Sequence, residues 1–385
     1  MQPGDIKLKW VNKIVTAVLF VLLFQISFAQ QPCNADIIMN VKGAWKKRSD
    51  ANIKADKNQA QFFNRLDVIS KLFQTAYPDP KGIEAGWYRT MEGNPMINNG
   101  PAPYQFSSLY LGWYCNENLH KLMLGTETGT WSNVYINSFG WFMTHQYDEL
   151  PDKIEGATAF LFPKKIGEWK GFPLYEPSTN TNKCKAILIT RNNQLPYKAV
   201  TRSQFLKSMK EKIEANKKVQ IDVENKMVVR TDAEQEAAKQ SGMDNALKYA
   251  PPNRIEERKA NYLKNYKTDQ QRKEENIQRA QKYYDGLIKG IDDAWKNLNE
   301  DELKEPAIVD NVSYAFLFKG FTTLEKGGRM IVFVNNDYFN LKLPRYVPQL
   351  IVLYWEWDKN AAAQNFKNQL EETFPVDKLK AMIDK

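Results

Sequence analysis

Histidine is almost missing from this sequence: His120 and His145 are the two it has, far apart and without ligand spacing. A histidine-based zinc site needs both, with help from Cys or carboxylates. The sequence therefore offers no metal site, and nothing in it calls for a cofactor. Cysteine is nearly as scarce. Cys33, Cys115 and Cys184 allow one disulfide and one thiol, in three pairings, with no Cys-x-x-Cys spacing. That excludes a disulfide-stapled scaffold, so a hydrophobic core must hold the fold. Cys184 adjoins a predicted buried strand, which argues for a disulfide or a buried thiol over a nucleophile. Catalytic signatures are also missing. There is no Gly-x-Ser-x-Gly elbow, no Ser-x-x-Lys and no phosphate-binding Gly-rich loop; Gly327-Gly328 reads as an ordinary turn.

Long apolar runs are absent beyond the N-terminus. Lys7, Lys9 and Lys13 precede an apolar run from Ile14 to Phe24, and Ser27 and Ala29 place small residues before Gln30. This is the pattern of a secretory signal peptide over 1–29. The run is shorter than the ~20 residues of a spanning helix. Cys33 comes too late for a lipoprotein cut. The expectation is an exported protein, periplasmic or secreted, that does not span a membrane once the signal is removed. The formal net charge is +9; the leader carries +2 of it, leaving +7. The charges are interspersed. A mild basic excess suits acidic partners such as envelope polymers or anionic lipid, and no clustered Arg/aromatic motif points to nucleic acid.

What is present is organised around 157–206. Ala159–Phe162 and Ala186–Ile189 are short apolar runs, followed by Asn192-Asn193, Leu195-Pro196-Tyr197 and a helix start at Thr201. A similar order returns as Ala315–Phe318, Ile331–Val334, Asn335-Asn336 and Leu343-Pro344. Continuous apolar runs bounded by breakers predict strands buried on both faces. The reading is a sheet-bearing unit written twice, with Ala186–Ile189 and Ile331–Val334 laid in one scaffold and a charged helical span between them.

Within this frame, Phe62, Leu66, Ile69, Phe73 and Ala76 predict one helix face over 56–76. Strands are predicted at Leu109–Tyr114, Lys121–Leu124, Val134–Ile136 and Gly140–Thr144, in a segment where Gly-Trp-aromatic occurs at Trp87, Trp113 and Trp141. Thr201 with Gln204 forms a capping box, and Val200 with Phe205 a hydrophobic staple. A β-hairpin is read over Val219–Arg230, a helix over Asp232–Lys248, and a helix start at Asn253. Thr268 with Gln271 restarts a helix whose seam runs through Ile277, Tyr284, Leu287, Ile291, Trp295 and Leu298. Strands follow at Tyr314–Phe318, Met330–Val334 and Gln349–Trp355, then helices from Asn360 and Asp377.

The domain reading is 1–29 signal peptide, 30–81 helical segment, 82–200 β-rich part, 201–305 charged helical span and 306–385 α/β segment completing the sheet. The fold class is α+β: an aromatic-rich β part plus a C-terminal mixed sheet interrupted by a long helical insertion.

Glycoside hydrolysis uses two carboxylates. Glu356 and Asp358 alternate with Trp355 and Trp357 at a strand end, which places both on one face; Asp148-Glu149 is a second acidic pair. The same pattern also suits an ordinary strand end. Trp87, Trp113 and Trp141 are candidate ligand-binding aromatics, against a core role. Asn311-Val312-Ser313 is a glycosylation sequon. Arg191 and Arg202 flank the Thr201 helix start, a place anions favour.

The block Ile189–Leu206, with Val334-Asn335-Asn336-Asp337-Tyr338-Phe339 and Leu343-Pro344, resembles a family of exported bacterial envelope proteins with no assigned activity. The resemblance implies an exported α+β protein and no functional residues. The function expected is a binding or structural role, with an envelope polymer or another envelope protein as partner through the 253–298 helical span. The alternative is a secreted hydrolase, acting on glycans, with carboxylates beside Trp. A pocket converging on Glu356, Asp358 or Asp148 favours the enzyme. An exposed seam along Ile277–Leu298 favours assembly, and an open aromatic groove near Trp113 or Trp141 favours binding.

Overall fold

The computed structural model describes residues 35–53, 56–91, 95–116, 118–119, 121–143, 153–177, 183–310, 318 and 320–385. Its elements begin with helix α1 (Ala35–Asn40), strand β1 (Trp45–Lys47) and helix α2 (Gln59–Ala76). Strands β2 (Ile83–Thr90), β3 (Tyr104–Asn116), β4 (Lys121–Leu124) and β5 (Trp131–Ile136) follow. Next come β6 (Lys153–Ile154), β7 (Ala157–Leu161), β8 (Lys164–Trp169), β9 (Phe172–Glu176), β10 (Lys183–Thr190) and β11 (Tyr197–Ala199). The helical span holds α3 (Arg202–Asn225), α4 (Asp232–Leu247), α5 (Ile255–Asn265), α6 (Asp269–Lys296) and α7 (Glu300–Lys304). The chain closes with β12 (Ile308–Val309), β13 (Arg329–Val334), β14 (Leu350–Trp357), α8 (Ala361–Thr373) and α9 (Val376–Lys380). The fold is α+β.

The described residues form two compact units: one within Met1–Thr144, Pro163–Pro196 and Asn335–Lys385, the other within His145–Phe162 and Tyr197–Val334. The segment 82–200 thus contributes to both.

The first unit is built on a nine-stranded sheet in the order β1-β2-β3-β5-β14-β10-β9-β8, with β4 paired to β3. Its pairs are antiparallel except β1 with β2. The central strand β14 is the apolar run Leu350–Trp355, buried on both faces. Helix α2 brings the predicted stripe to one face of the sheet, where Phe62, Leu66, Ile69 and Phe73 are at most 1% exposed. Burying each such side chain contributes about 1.5–3 kcal/mol. Phe366 and Leu370 of α8 join the same core, with Phe366 against Tyr110 at 3.8 Å between ring centroids.

In the second unit a five-stranded sheet runs β11-β13-β7-β6, with β12 paired to β13. Thr201 and Gln204 form the predicted capping box, and Val200 and Phe205 are buried in the core beneath. Further capping boxes start α4 at Thr231, α6 at Thr268 and α7 at Asn299. Helices α3 and α6 pair antiparallel: Lys210 bonds Asp292 at 2.8 Å, Lys217 bonds Asp285 at 2.6 Å and Lys273 reaches the Asn225 carbonyl at 2.7 Å.

Several expectations are corrected. Ala186–Ile189 lies in the nine-stranded sheet and Ile331–Val334 in the five-stranded one. One strand of each similar stretch does pair, β7 with β13, whereas β10 pairs β14, which follows the second stretch. An apolar run shows that a strand is buried and says nothing of its neighbour. Val219–Arg230 is no hairpin, because α3 continues to Asn225; with no Gly or Pro between Thr201 and Asn225, its β-branched residues remain helical. Gly140–Phe142 is a 3-10 turn where a strand was expected, since the positive φ of Gly140, +48°, is incompatible with a strand. Asn253 lies in a 3-10 turn over Pro252–Arg254 and does not cap α5, whose N-cap is Arg254. The predicted strand Tyr314–Phe318 lies, except for Phe318, outside the described residues, as do Cys33, the 1–29 leader and the Asn311 sequon.

Candidate functional site

The sheet face opposite α2 and α8 is more polar. Period-two alternation along β5 puts Val134 and Ile136 in the core and Trp131, Asn133 and Tyr135 on this other face. Register brings Ser107 opposite Asn133, Gln105 opposite Tyr135 and Tyr88 opposite Ser107. After β5 the chain turns at Gly140, whose left-handed backbone lies so close to the Tyr135 ring that a Cβ would stand 2.3 Å from it. No other residue type fits there. The turn holds Trp141, 50% exposed, at the edge of the Tyr354 ring, 5.6 Å between centroids.

These side chains surround a cleft of about 590 Å³, within the ~300–1,000 Å³ usual for small-molecule sites. Trp131, Trp141, Tyr88 and Tyr135 supply its aromatic surface, and Gln105 and Asn133 its amides. Gln105 Nε2 donates to Ser107 Oγ at 2.6 Å and to Asn133 Oδ1 at 3.1 Å. Asn133 is 2% exposed, and its Nδ2 has no hydrogen-bond partner. A buried amide donor without an acceptor costs on the order of 1–3 kcal/mol. Asn133 and Gln105 together form an uncharged amide wall of the cleft.

The sequence-predicted residues are not gathered in this cleft. Trp141 lines it. Trp87 faces the α2 side and is buried in the core. Trp113 lines a separate depression of about 390 Å³, with Asp358 and Ala361–Ala363. Glu356 is the register partner of Trp131 but lines neither space. Tyr354 donates to Glu356 Oε2 at 2.6 Å. Burial pushes the Glu356 carboxyl above its usual range, and the Asp358 charge adds to this, while the Tyr354 hydrogen bond opposes it. Asp358 follows the end of β14; its Oδ2 accepts from the Gly129 N–H at 3.1 Å, and its own N–H donates to Thr130 Oγ1. The two carboxylates therefore do not both line either of these two spaces. Asp148, Glu149, His120 and His145 lie outside the described residues.

Among the described residues no group of three His, Cys, Asp or Glu could hold a metal, and no helix is long and apolar enough to cross a membrane. Cys115 is disulfide-bonded, and the buried Cys184 thiol donates to the Pro177 carbonyl at 2.9 Å. Arg191 bonds Asp384, and Arg202 bonds Glu305, each at 2.8 Å. Part of the α6 seam is packed: Ile291 is buried in the second unit's core, with Tyr284, Leu287 and Leu298 against it, while Trp295 stays exposed.

Asn133, Gln105 and Trp131 were not foreseen. The alternation Trp131-Asn133-Tyr135, two aromatics flanking an amide on one strand face, was the available signal. No protein-family model, curated protein or solved structure matches this chain.

Proposed function

We propose that this chain is an exported, non-enzymatic binding protein whose ligand sits in the cleft of the first unit. The observation that carries this is Asn133 Nδ2, buried and without an acceptor, inside a cleft rimmed by the half-exposed Trp141. Export rests on the basic leader, apolar run and small-residue cut before Gln30, in keeping with the resemblance to exported envelope proteins. Packing of Tyr284, Leu287, Ile291 and Leu298 in the second unit's core leaves less apolar surface for assembly through the 253–298 span.

The hydrolase alternative keeps one supporting observation, the raised carboxyl of Glu356, which suits a general acid. Against it, Glu356 lines neither the cleft nor the depression that Asp358 lines.

A thermal-shift screen of small neutral and charged ligands tests the binding reading. At least one ligand is expected to raise the melting temperature of the wild type and not that of Trp141→Ala. Stabilisation that survives in Trp141→Ala, or no stabilising ligand at all, contradicts it.

A further inference from the structure

The cleft's lining narrows the class of its ligand, on the reading just given that it is a binding site. The chain has 54 Lys and Arg and 45 Asp and Glu, yet none of the described residues that line this cleft is charged. An ionic ligand would be desolvated there without a counter-charge, at a cost of several kcal/mol per ion. A wholly apolar ligand is also unsuited, because the polar side chains of Thr90, Gln105, Asn133 and Ser138 share the lining with the rings. What fits is an uncharged molecule with a flat C–H face and oxygens around its edge.

The geometry supplies a counterpart for each part. Trp141 stands half exposed at the mouth, anchored edge-on to Tyr354. Trp131 is fixed by its own indole N–H, which donates to the Thr128 carbonyl at 2.8 Å, so its ring is presented in a set orientation. Such rings offer large rigid contact faces at little entropic cost. Asn133 Nδ2 is held by its Oδ1 bond to Gln105 and is aimed by the sheet, not by a loop. A rigid donor beside rigid aromatic faces is a preorganised site.

We propose that the cleft binds a neutral saccharide, with a pyranose face on Trp141 and ring-edge oxygens against the amide wall of Gln105 and Asn133. A nucleobase shares the flat face and edge acceptors, but a nucleotide's phosphate finds no cation among the described lining residues.

The test is calorimetric titration of the full chain with neutral trisaccharides of glucose, mannose, galactose and N-acetylglucosamine, with trigalacturonate and the glucosamine trimer as charged counterparts, and with adenosine. At least one neutral trisaccharide is expected to bind. Its charged counterpart should bind at least tenfold more weakly, and Trp141→Ala should lose at least tenfold in affinity with an unchanged melting temperature. Trp141 is chosen because its exposure leaves the fold intact; Asn133→Asp is the second variant and should abolish binding of the same sugar. Preference for a charged trimer, or neutral-sugar binding that survives Trp141→Ala, overturns the proposal. Adenosine binding that depends on Trp141, with no saccharide bound, overturns the sugar assignment while leaving the cleft as a binding site. No Trp141-dependent binding of any probe overturns both.

Discussion

Glu356 sits in the outer sheet face with its carboxyl held above the usual glutamate range by burial, the Asp358 charge adding and the Tyr354 hydrogen bond opposing. A carboxyl whose value is raised by folding favours the protonated form in the native state. Its contribution to stability is present below the ordinary value of 4.5 and is lost as pH rises through the raised one. Glu356→Gln should therefore melt above the wild type at pH 7, with the gap closing as pH falls toward 4.5. A gap that is constant with pH contradicts this. Residue-scale depth was the least legible quantity in the sequence. Trp87, Trp113 and Trp141 share the word Gly-Trp-aromatic, yet one is core, one lines a shallow depression and one stands at the cleft mouth. A three-residue word carries no record of what packs over it. Asn133 was unreadable for the same reason: its importance comes from the acceptor it lacks, which is a property of its surroundings.

At the scale of elements, local chemistry was read best where one feature decides the outcome. Thr201 illustrates this: its side chain accepts from the Gln204 N–H, and the Gln204 side chain accepts from the Thr201 N–H at 3.0 Å. Thr201→Ala should lower stability by about 1 kcal/mol, seen as a lower urea midpoint with an unchanged slope; an unchanged midpoint contradicts it. Helix α2 and strands β4 and β14 were legible because their apolar period is unbroken. Two elements failed for stated reasons. The β-branched residues Val219, Ile221 and Val223 suggested a strand, but a helix already launched at Thr201 meets no breaker before Asn225, and propensity yields to continuity. The hairpin of β8 and β9 is absent from the strands the sequence predicts. Its signal was Lys170-Gly171, two successive residues with positive φ between Trp169 and Phe172, as tight two-residue hairpin loops require.

For the whole molecule, the apolar runs Ala159–Phe162, Ala186–Ile189 and Ile331–Val334 fall on β7, β10 and β13, but their partners were not legible. β7 and β13, one from each stretch, pair in the five-stranded sheet, while β10 pairs β14 in the nine-stranded one. Nothing in four apolar residues distinguishes one buried neighbour from another. The cleft arises only when β2, β3 and β5 lie side by side in register and the Gly140 turn folds back on Tyr135. It is assembled from stretches that the sequence order keeps apart. The most direct measurement is the set of tryptophan indole N–H resonances as a bound neutral saccharide is titrated in. The account predicts shifts at Trp141 and Trp131 with Trp87 unmoved. Saturating binding that leaves Trp141 unshifted, or that moves Trp113 in its place, would contradict it.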